Sequence, residues 1–117
     1  MHIINEEDQI HNPNIVKVVT DKAGFALLFS RAAIPFRRNT ETDCKYYRHI
    51  GVYGYKKSAL LQFVQWPLSA LENIEKLEQL RYLENGVRIK MVTTEFEAIG
   101  IDTPEDLVFA RKRLGPA

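Results

Sequence analysis

The sequence predicts an α/β fold, because segments with strand patterning and segments with helix signals follow one another along its 117 residues. β-branched and alternating apolar residues predict two strands, 15–20 and 25–30, joined as a hairpin by the turn 21–24. Capping residues and helical spacing predict a helix over 69–85. A chain of this length is expected to form one domain with a modest core.

The first half of the chain contains the hairpin and the segments around it. Residues up to His11 are polar, and we expect them to be irregular. Gly24 can adopt the positive φ that the hairpin turn requires. Beyond the hairpin, Pro35 favours an extended backbone in the residue before it, and the polar segment 39–45 is predicted to be a loop.

The segment from Arg48 to Tyr55 is predicted to be a strand, and one of its faces carries a candidate site. Side chains alternate between the two faces of a strand. His49, Tyr53 and Tyr55 then share one face with Gly51, which leaves room for a ligand to approach the backbone. The other face, with Ile50, Val52 and Gly54, is expected to join the core.

The second half is predicted to be mainly helical. The first short helix is expected to turn Leu60, Leu61 and Val64 inward. The last helix is expected to begin at Thr103, with Pro104 at its first position. Helices are predicted over 58–65, 69–85 and 103–114, and a strand over 88–94.

Helix 69–85 contains the clearest local signals. Ser69 and Glu72 match a capping box, while Glu72 and Lys76 are spaced as a supporting ion pair. Glu78 projects into the apolar arc of this helix, where a carboxylate is costly unless it is paired, hydrogen-bonded or used. An interior salt bridge and a ligand contact both remain open for Glu78.

Composition excludes several classes of protein. A net charge of +1, with 45% apolar and 26% charged residues, is ordinary for a soluble globular protein. No apolar run approaches the roughly 20 residues that span a bilayer, and no signal-peptide pattern opens the chain. Because Cys44 is the single cysteine, an internal disulfide is excluded and a structural thiol in a reducing cytoplasm is expected.

Basic residues are concentrated in the segment 31–57. A local positive patch suits a carboxylate or phosphate ligand, although a solvated basic face has the same composition. Nucleic acid is not expected as a partner, because no recognised binding motif accompanies the charge. Against Glu41 and Asp43, the segment contains seven basic residues, Arg31, Arg37, Arg38, Lys45, Arg48, Lys56 and Lys57.

Five segments of the chain form a recognisable series. They are 12–19 (NPNIVKVV), 29–36 (FSRAAIPF), 48–55 (RHIGVYGY), 71–81 (LENIEKLEQLR) and 100–107 (GIDTPEDL). In this order and spacing they resemble the C-terminal half of the 3-deoxy-manno-octulosonate cytidylyltransferases, or CMP-Kdo synthetases. Kdo stands for 3-deoxy-manno-octulosonate, an acidic sugar with eight carbons.

The resemblance implies a mixed-sheet, nucleotide-diphospho-sugar transferase-like (Rossmann-like) α/β fold, with a β-hairpin dimerisation lobe. Residues 1–117 would then be a single partial domain that binds the sugar and dimerises. The CTP-binding half is expected to be absent, because no glycine-rich loop precedes a strand. Strands that would pair with it are expected to be open edges.

The resemblance also implies a reaction, in which Kdo and CTP give CMP-Kdo and pyrophosphate for lipopolysaccharide biosynthesis. The implied cofactor is Mg²⁺, and the implied assembly is a cytoplasmic homodimer. Two alternatives remain open: a catalytically silent dimerisation or interaction fragment, and an enzyme similar to CMP-sialic acid synthetase. The run 49–55 favours Kdo over sialic acid.

Site residues are implied by position in the matched segments. Arg38 is expected to bind the sugar carboxylate, for which a planar guanidinium is well suited. Asp102 is expected to be catalytic as one of two aspartates that hold Mg²⁺. Contacts with the rest of the sugar are implied for His49, Tyr53, Glu78 and Gln79.

Overall fold

The computed structural model describes residues 1–95, 101 and 103–115 of the chain. Both strands and helices are present in these residues, in agreement with the predicted α/β class, with most strands in the first half and most helices in the second. The strands are β1 (His2–Ile4), β2 (Lys17–Thr20), β3 (Ala26–Ser30) and β4 (Tyr46–Arg48). The helices are α1 (Glu7–His11), α2 (Lys57–Phe63), α3 (Ala70–Glu75), α4 (Gln79–Glu84) and α5 (Pro104–Leu114).

The predicted hairpin is confirmed as β2 and β3 of a sheet with the order β1-β4-β2-β3, whose described pairs are all antiparallel. Val18 and Phe29 lie opposite each other in the hairpin, and both are buried. Gly24 adopts the expected positive φ, at 79°. Its N–H donates to the Asp21 carbonyl at 3.0 Å, which closes the turn.

The N-terminal segment is ordered, and the prediction of an irregular start is therefore wrong. β1 pairs with β4, which places Ile4 opposite Tyr46. Ile10 of α1 joins these two side chains in a small buried cluster. The partner strand lies far along the chain, and strand formation depends on such neighbours more than on local propensity.

β4 ends at Arg48, so the predicted strand over 48–55 is wrong beyond its first residue. The His49 N–H still donates to the Val16 carbonyl at 2.8 Å. Among the described residues no strand continues this pairing, and Val52, expected in the core, is 84% exposed. The candidate site wall is consequently carried by a loop.

The predicted helix over 69–85 is interrupted. Lys76 adopts the left-handed conformation, with φ of 55°, and ends α3. After this break, Leu77 and Leu80 enter a core cluster with the hairpin. The capping box of Ser69 at the start of α3 is confirmed. Burial of the two leucines overrides the local preference for a continuous helix.

The predicted ion pair between Glu72 and Lys76 does not form; Glu72 pairs with Arg81 instead. It accepts two hydrogen bonds from Arg81, from Nε at 2.7 Å and from Nη2 at 2.5 Å. The two residues are nine positions apart, which in a continuous helix corresponds to about 13 Å along the axis. The break between α3 and α4 therefore makes the ion pair possible.

Helix ends agree with the predictions better than helix faces do. The capping box of Thr103 opens α5, and Gly86 follows α4 with a positive φ of 75°. However, Leu60 and Leu61 of α2, and Val64 at its C-cap, are exposed rather than inward. Apolar spacing identifies an apolar face, but it does not reveal whether another element covers that face.

The segment 88–94 runs beside the hairpin without forming the predicted strand. A single bridge, between Phe25 and Lys90, joins it to the turn region within the described part of the chain. The Met91 N–H donates to the Gly24 carbonyl at 2.9 Å. The segment thereby forms a wall beside the loop that follows β4.

The core lies between the hairpin and the α3–α4 pair, where Val18, Phe29 and Leu80 are almost fully buried. Several large apolar side chains are exposed elsewhere, among them Phe36 at 85%. In the ranges that the structure describes, no helix has the length and apolar character to cross a membrane.

Candidate functional site

His49 and Tyr53 lie side by side at the end of the sheet, although a loop rather than a strand brings them together. The Tyr53 hydroxyl is 2.6 Å from His49 Nε2, and the two ring centroids are 5.3 Å apart. The His49 ring also packs edge-on against the buried Phe29, at 5.1 Å. Contact with the core therefore fixes the position of this pair.

Burial moves the pKa values of both members of the pair away from neutral pH, so that both are uncharged there. It lowers the pKa of His49 from 6.5 to about 4, and the positive charge of the N-terminus adds to this effect. Burial also raises the pKa of Tyr53, with further contributions from Tyr55 and Glu78. A neutral imidazole and a neutral phenol can exchange hydrogen bonds with ligand hydroxyl groups.

Aromatic rings continue from this pair onto α4 and α2. We call the series His49, Tyr53, Tyr55, Tyr82 and Phe63 the aromatic ladder. Successive centroids along it are 5.3, 5.6, 5.6 and 4.6 Å apart, which is the range of favourable ring packing. Sequence reasoning misses its far end, because it treats Tyr82 only as part of an apolar helix face and does not single out Phe63.

Two cavities flank the aromatic ladder. The larger holds about 540 Å³ and is bounded by the loop after β4 and by residues 87–92. The smaller holds about 210 Å³ and lies against α2 and α4. Tyr53, Tyr55 and Tyr82 line both of them. Small-molecule sites typically measure roughly 300–1,000 Å³, so the larger cavity has the size of a ligand site.

Glu78 and Gln79 line the smaller cavity together with Tyr53. Gln79 is buried, but Glu78 is exposed, so its predicted place inside an apolar arc is wrong. The left-handed Lys76 ends α3, and Glu78 stands at the residue before α4 instead of lying within one long helix. The interior salt bridge considered for Glu78 is made by Glu72.

The other two predicted site residues do not join this cluster. Arg38 is exposed and lines neither cavity. Asp102 lies outside the described residues. The cationic side chains that line the larger cavity are Lys56, Arg88 and Lys90, none of which is among the predicted site residues.

Magnesium is the cofactor that the family resemblance implies, with Asp102 as its predicted ligand. Within these ranges, no three His, Cys, Asp or Glu side chains come together as a possible metal site. Mg²⁺ prefers a few carboxylates together with phosphate oxygens and water. A metal at this site therefore stays a prediction that depends on Asp102.

Comparison with known proteins identifies the family to which this chain belongs. The model of the cytidylyltransferase family matches residues 1–89. A 3-deoxy-manno-octulosonate cytidylyltransferase from Christiangramia forsetii is 54% identical over 95% of this chain. The protein of the same name from Flavobacterium johnsoniae is 55% identical over 97% of it. The matches cover 45% and 47% of those relatives, so the chain spans about half their length.

A solved structure supports the fold directly. It is a CMP:2-keto-3-deoxy-manno-octonic acid synthetase complexed with CTP, 36% identical to this chain, with a TM-score of 0.87. The match covers 97% of this chain and 46% of the other. It confirms the predicted nucleotidyltransferase-like α/β fold.

Proposed function

We propose a function from one premise, which is that this chain belongs to the cytidylyltransferase family. The chain supplies the sugar-binding half of an enzyme that joins Kdo and CTP into CMP-Kdo and pyrophosphate, a step in lipopolysaccharide biosynthesis. The names and high identity of its relatives support this substrate pair. Because the chain spans about half of those relatives, we assign it part of the site and not the whole reaction.

The observation that carries the proposal is the meeting of four polar side chains around adjoining cavities. His49 and Tyr53 come from the loop after β4, whereas Glu78 and Gln79 come from the start of α4. Imidazole, phenol, amide and carboxylate together offer both donors and acceptors. Such a set suits a ligand with several hydroxyl groups, as Kdo has.

The role of these residues is to bind and orient the sugar. Its anomeric oxygen attacks the α-phosphorus of CTP, an O–P bond forms, and the bond from that phosphorus to the bridging oxygen of pyrophosphate breaks. The hydroxyl proton is released to solvent. Holding the attacking oxygen in line with the bond that breaks lowers the entropic part of the activation free energy. Arg38 is proposed for the sugar carboxylate on the family resemblance.

Magnesium, a homodimer and a cytoplasmic location complete the proposal. When bound, Mg²⁺ offsets the negative charge of the phosphates, and Asp102 is the proposed protein ligand. The single thiol of Cys44 suits a reducing compartment. Exposed apolar side chains such as Phe36 leave surface for a second subunit.

Exposed apolar side chains also favour a second candidate, a non-catalytic interaction fragment. Phe36, Val52 and Ile74 are 85%, 84% and 76% exposed. Side chains of this kind mark contact surfaces when they form patches. A fragment of this kind would bind a partner chain but would not require a sugar.

Reconstitution separates the two candidates. The chain is mixed with the N-terminal half of the Flavobacterium johnsoniae relative, CTP, Mg²⁺ and Kdo, and pyrophosphate is measured. We expect release that falls strongly in His49→Ala and persists in His11→Ala, an exposed histidine on α1. A folded mixture that releases no pyrophosphate would sink the enzymatic proposal.

A further inference from the structure

We propose that Glu72 and Arg81 form a positioning pair that sets the geometry of the aromatic ladder at the sugar site. The inference deepens the proposed function and rests on it. Neither residue lines the two cavities described above, so the pair would act through the rings that do. Arg81 lies between Leu80 of the core and Tyr82 of the ladder in α4.

The ion pair is bidentate and joins a buried carboxylate to a partly buried guanidinium. Arg81 donates to both carboxylate oxygens of Glu72, at 2.7 and 2.5 Å, and Glu72 is only 4% exposed. The hydrogen bonds from Arg81 lower the pKa of Glu72. An exposed ion pair does little to fix the orientation of its side chains. Two parallel hydrogen bonds to the buried Glu72 carboxylate, in contrast, fix the plane of the Arg81 guanidinium.

That plane is packed directly on the ladder. The Arg81 guanidinium lies 4.2 Å from the centroid of the Phe63 ring, and Nη1 donates to the Trp66 carbonyl at 3.4 Å. Phe63 in turn stacks on Tyr82 at 4.6 Å and 20°. Arg81 therefore ties the end of α2 to α4, and these two helices flank the smaller cavity.

Displacement at this end would pass along stacked rings to the site. Tyr82 stacks on Tyr55, and Tyr55 stacks on Tyr53. The Tyr53 hydroxyl is the group that meets His49. The ladder thus connects the ion pair to Tyr53 and His49, two of the four side chains proposed to hold the sugar.

The chain offers a matched control between α3 and α4, the two helices that the Glu72–Arg81 pair joins. Glu84 of α4 accepts hydrogen bonds from the Leu71 N–H of α3, at 3.1 and 3.2 Å. Glu84 is exposed and lines neither cavity. Glu84→Gln therefore perturbs the α3–α4 contact without touching the ladder.

The test compares Arg81→Met with Glu84→Gln by Kdo calorimetry, by the NMR signals of the His49 imidazole and by thermal unfolding. We expect Arg81→Met to weaken Kdo binding about tenfold and to move the His49 signals. Arg81→Lys should fall between wild type and Arg81→Met, because an ammonium lacks the planar fork. Glu84→Gln should leave the Kd and the His49 signals unchanged.

A lower thermal midpoint in Arg81→Met, with unchanged Kd and unchanged His49 signals, overturns the inference. If Arg81→Met does not fold, Glu72→Gln gives the same readouts, since it keeps the shape of the side chain and removes its charge. If the wild-type chain does not bind Kdo, the proposed function fails. The His49 signals then decide alone: movement in the Arg81 or Glu72 variant supports positioning, and no movement overturns it.

Discussion

His49 is held in the folded chain as a neutral ring between Phe29 and Tyr53. Burial lowers its pKa from 6.5 to about 4. An unfolded chain therefore takes up the proton first as the pH falls. The contribution of this residue to stability is present above pH 6.5 and is lost as the pH falls toward 4.

This linkage predicts a pH-dependent loss of stability. Between pH 7.5 and 5, we expect His49 to account for roughly 1–2 kcal/mol of the free energy of unfolding, discounted for partial exposure of the ring. Urea unfolding at both pH values measures it. In His49→Gln, the change in unfolding free energy between the two pH values should be smaller by this amount, whereas in His11→Gln, at an exposed position, it should equal that of the wild type. The same change in both variants would contradict the account.

The Tyr53 hydroxyl gives a second prediction at the same scale. Tyr53→Phe keeps the stacked ring but removes the group that lies 2.6 Å from His49 Nε2. We expect Kdo binding to weaken about tenfold, while the free energy of unfolding changes by about 1 kcal/mol. Calorimetry and urea unfolding check this against Tyr47→Phe, outside both cavities, which should bind normally.

Single elements show which information the sequence contains. The turn at Gly24 and the caps at Ser69 and Thr103 were predictable, because each depends on neighbours within a few residues. The break at Lys76 depends on what Leu77 meets in the core. Such tertiary causes have no local pattern. For the same reason, only the family resemblance implies Gln79 as a site residue, and no sequence signal marks Phe63, which lines the same cavity.

Lys17 at the start of β2 provides a prediction at the element scale. It is fully buried, and its Nζ donates to the carbonyls of Asn12, Ile15 and Arg31 at 2.9, 2.6 and 2.6 Å. Lys17→Met leaves these acceptors without their donor, so we expect a loss of about 3 kcal/mol. Urea unfolding measures this loss against Lys22→Met.

Lys22 is the matched control because it is exposed in the hairpin turn, and its replacement should cost less than about 0.5 kcal/mol. Similar losses of unfolding free energy in the two variants would show that the buried Lys17 ammonium does not stabilise the backbone at the start of β2. The loop before β2 and the backbone at Arg31 would then need another explanation for their position.

At the scale of the whole molecule, the fold gathers side chains that the sequence separates. The loop after β4 folds against α4, so that Tyr53 lines the smaller cavity together with Gln79 while His49 lines the adjoining larger one. The family resemblance predicted this meeting, whereas the residues alone suggested only the His49–Tyr53 wall. Arg38 is not brought to the cluster, so its proposed role depends on the resemblance.

Calorimetric titration of Kdo into this chain tests the central claim most directly. We predict saturable binding by the wild type, about tenfold or more weaker in His49→Ala and unchanged in His11→Ala. Absence of binding by the folded wild-type chain, or equal affinity in His49→Ala, would contradict the assignment of the sugar site to these residues.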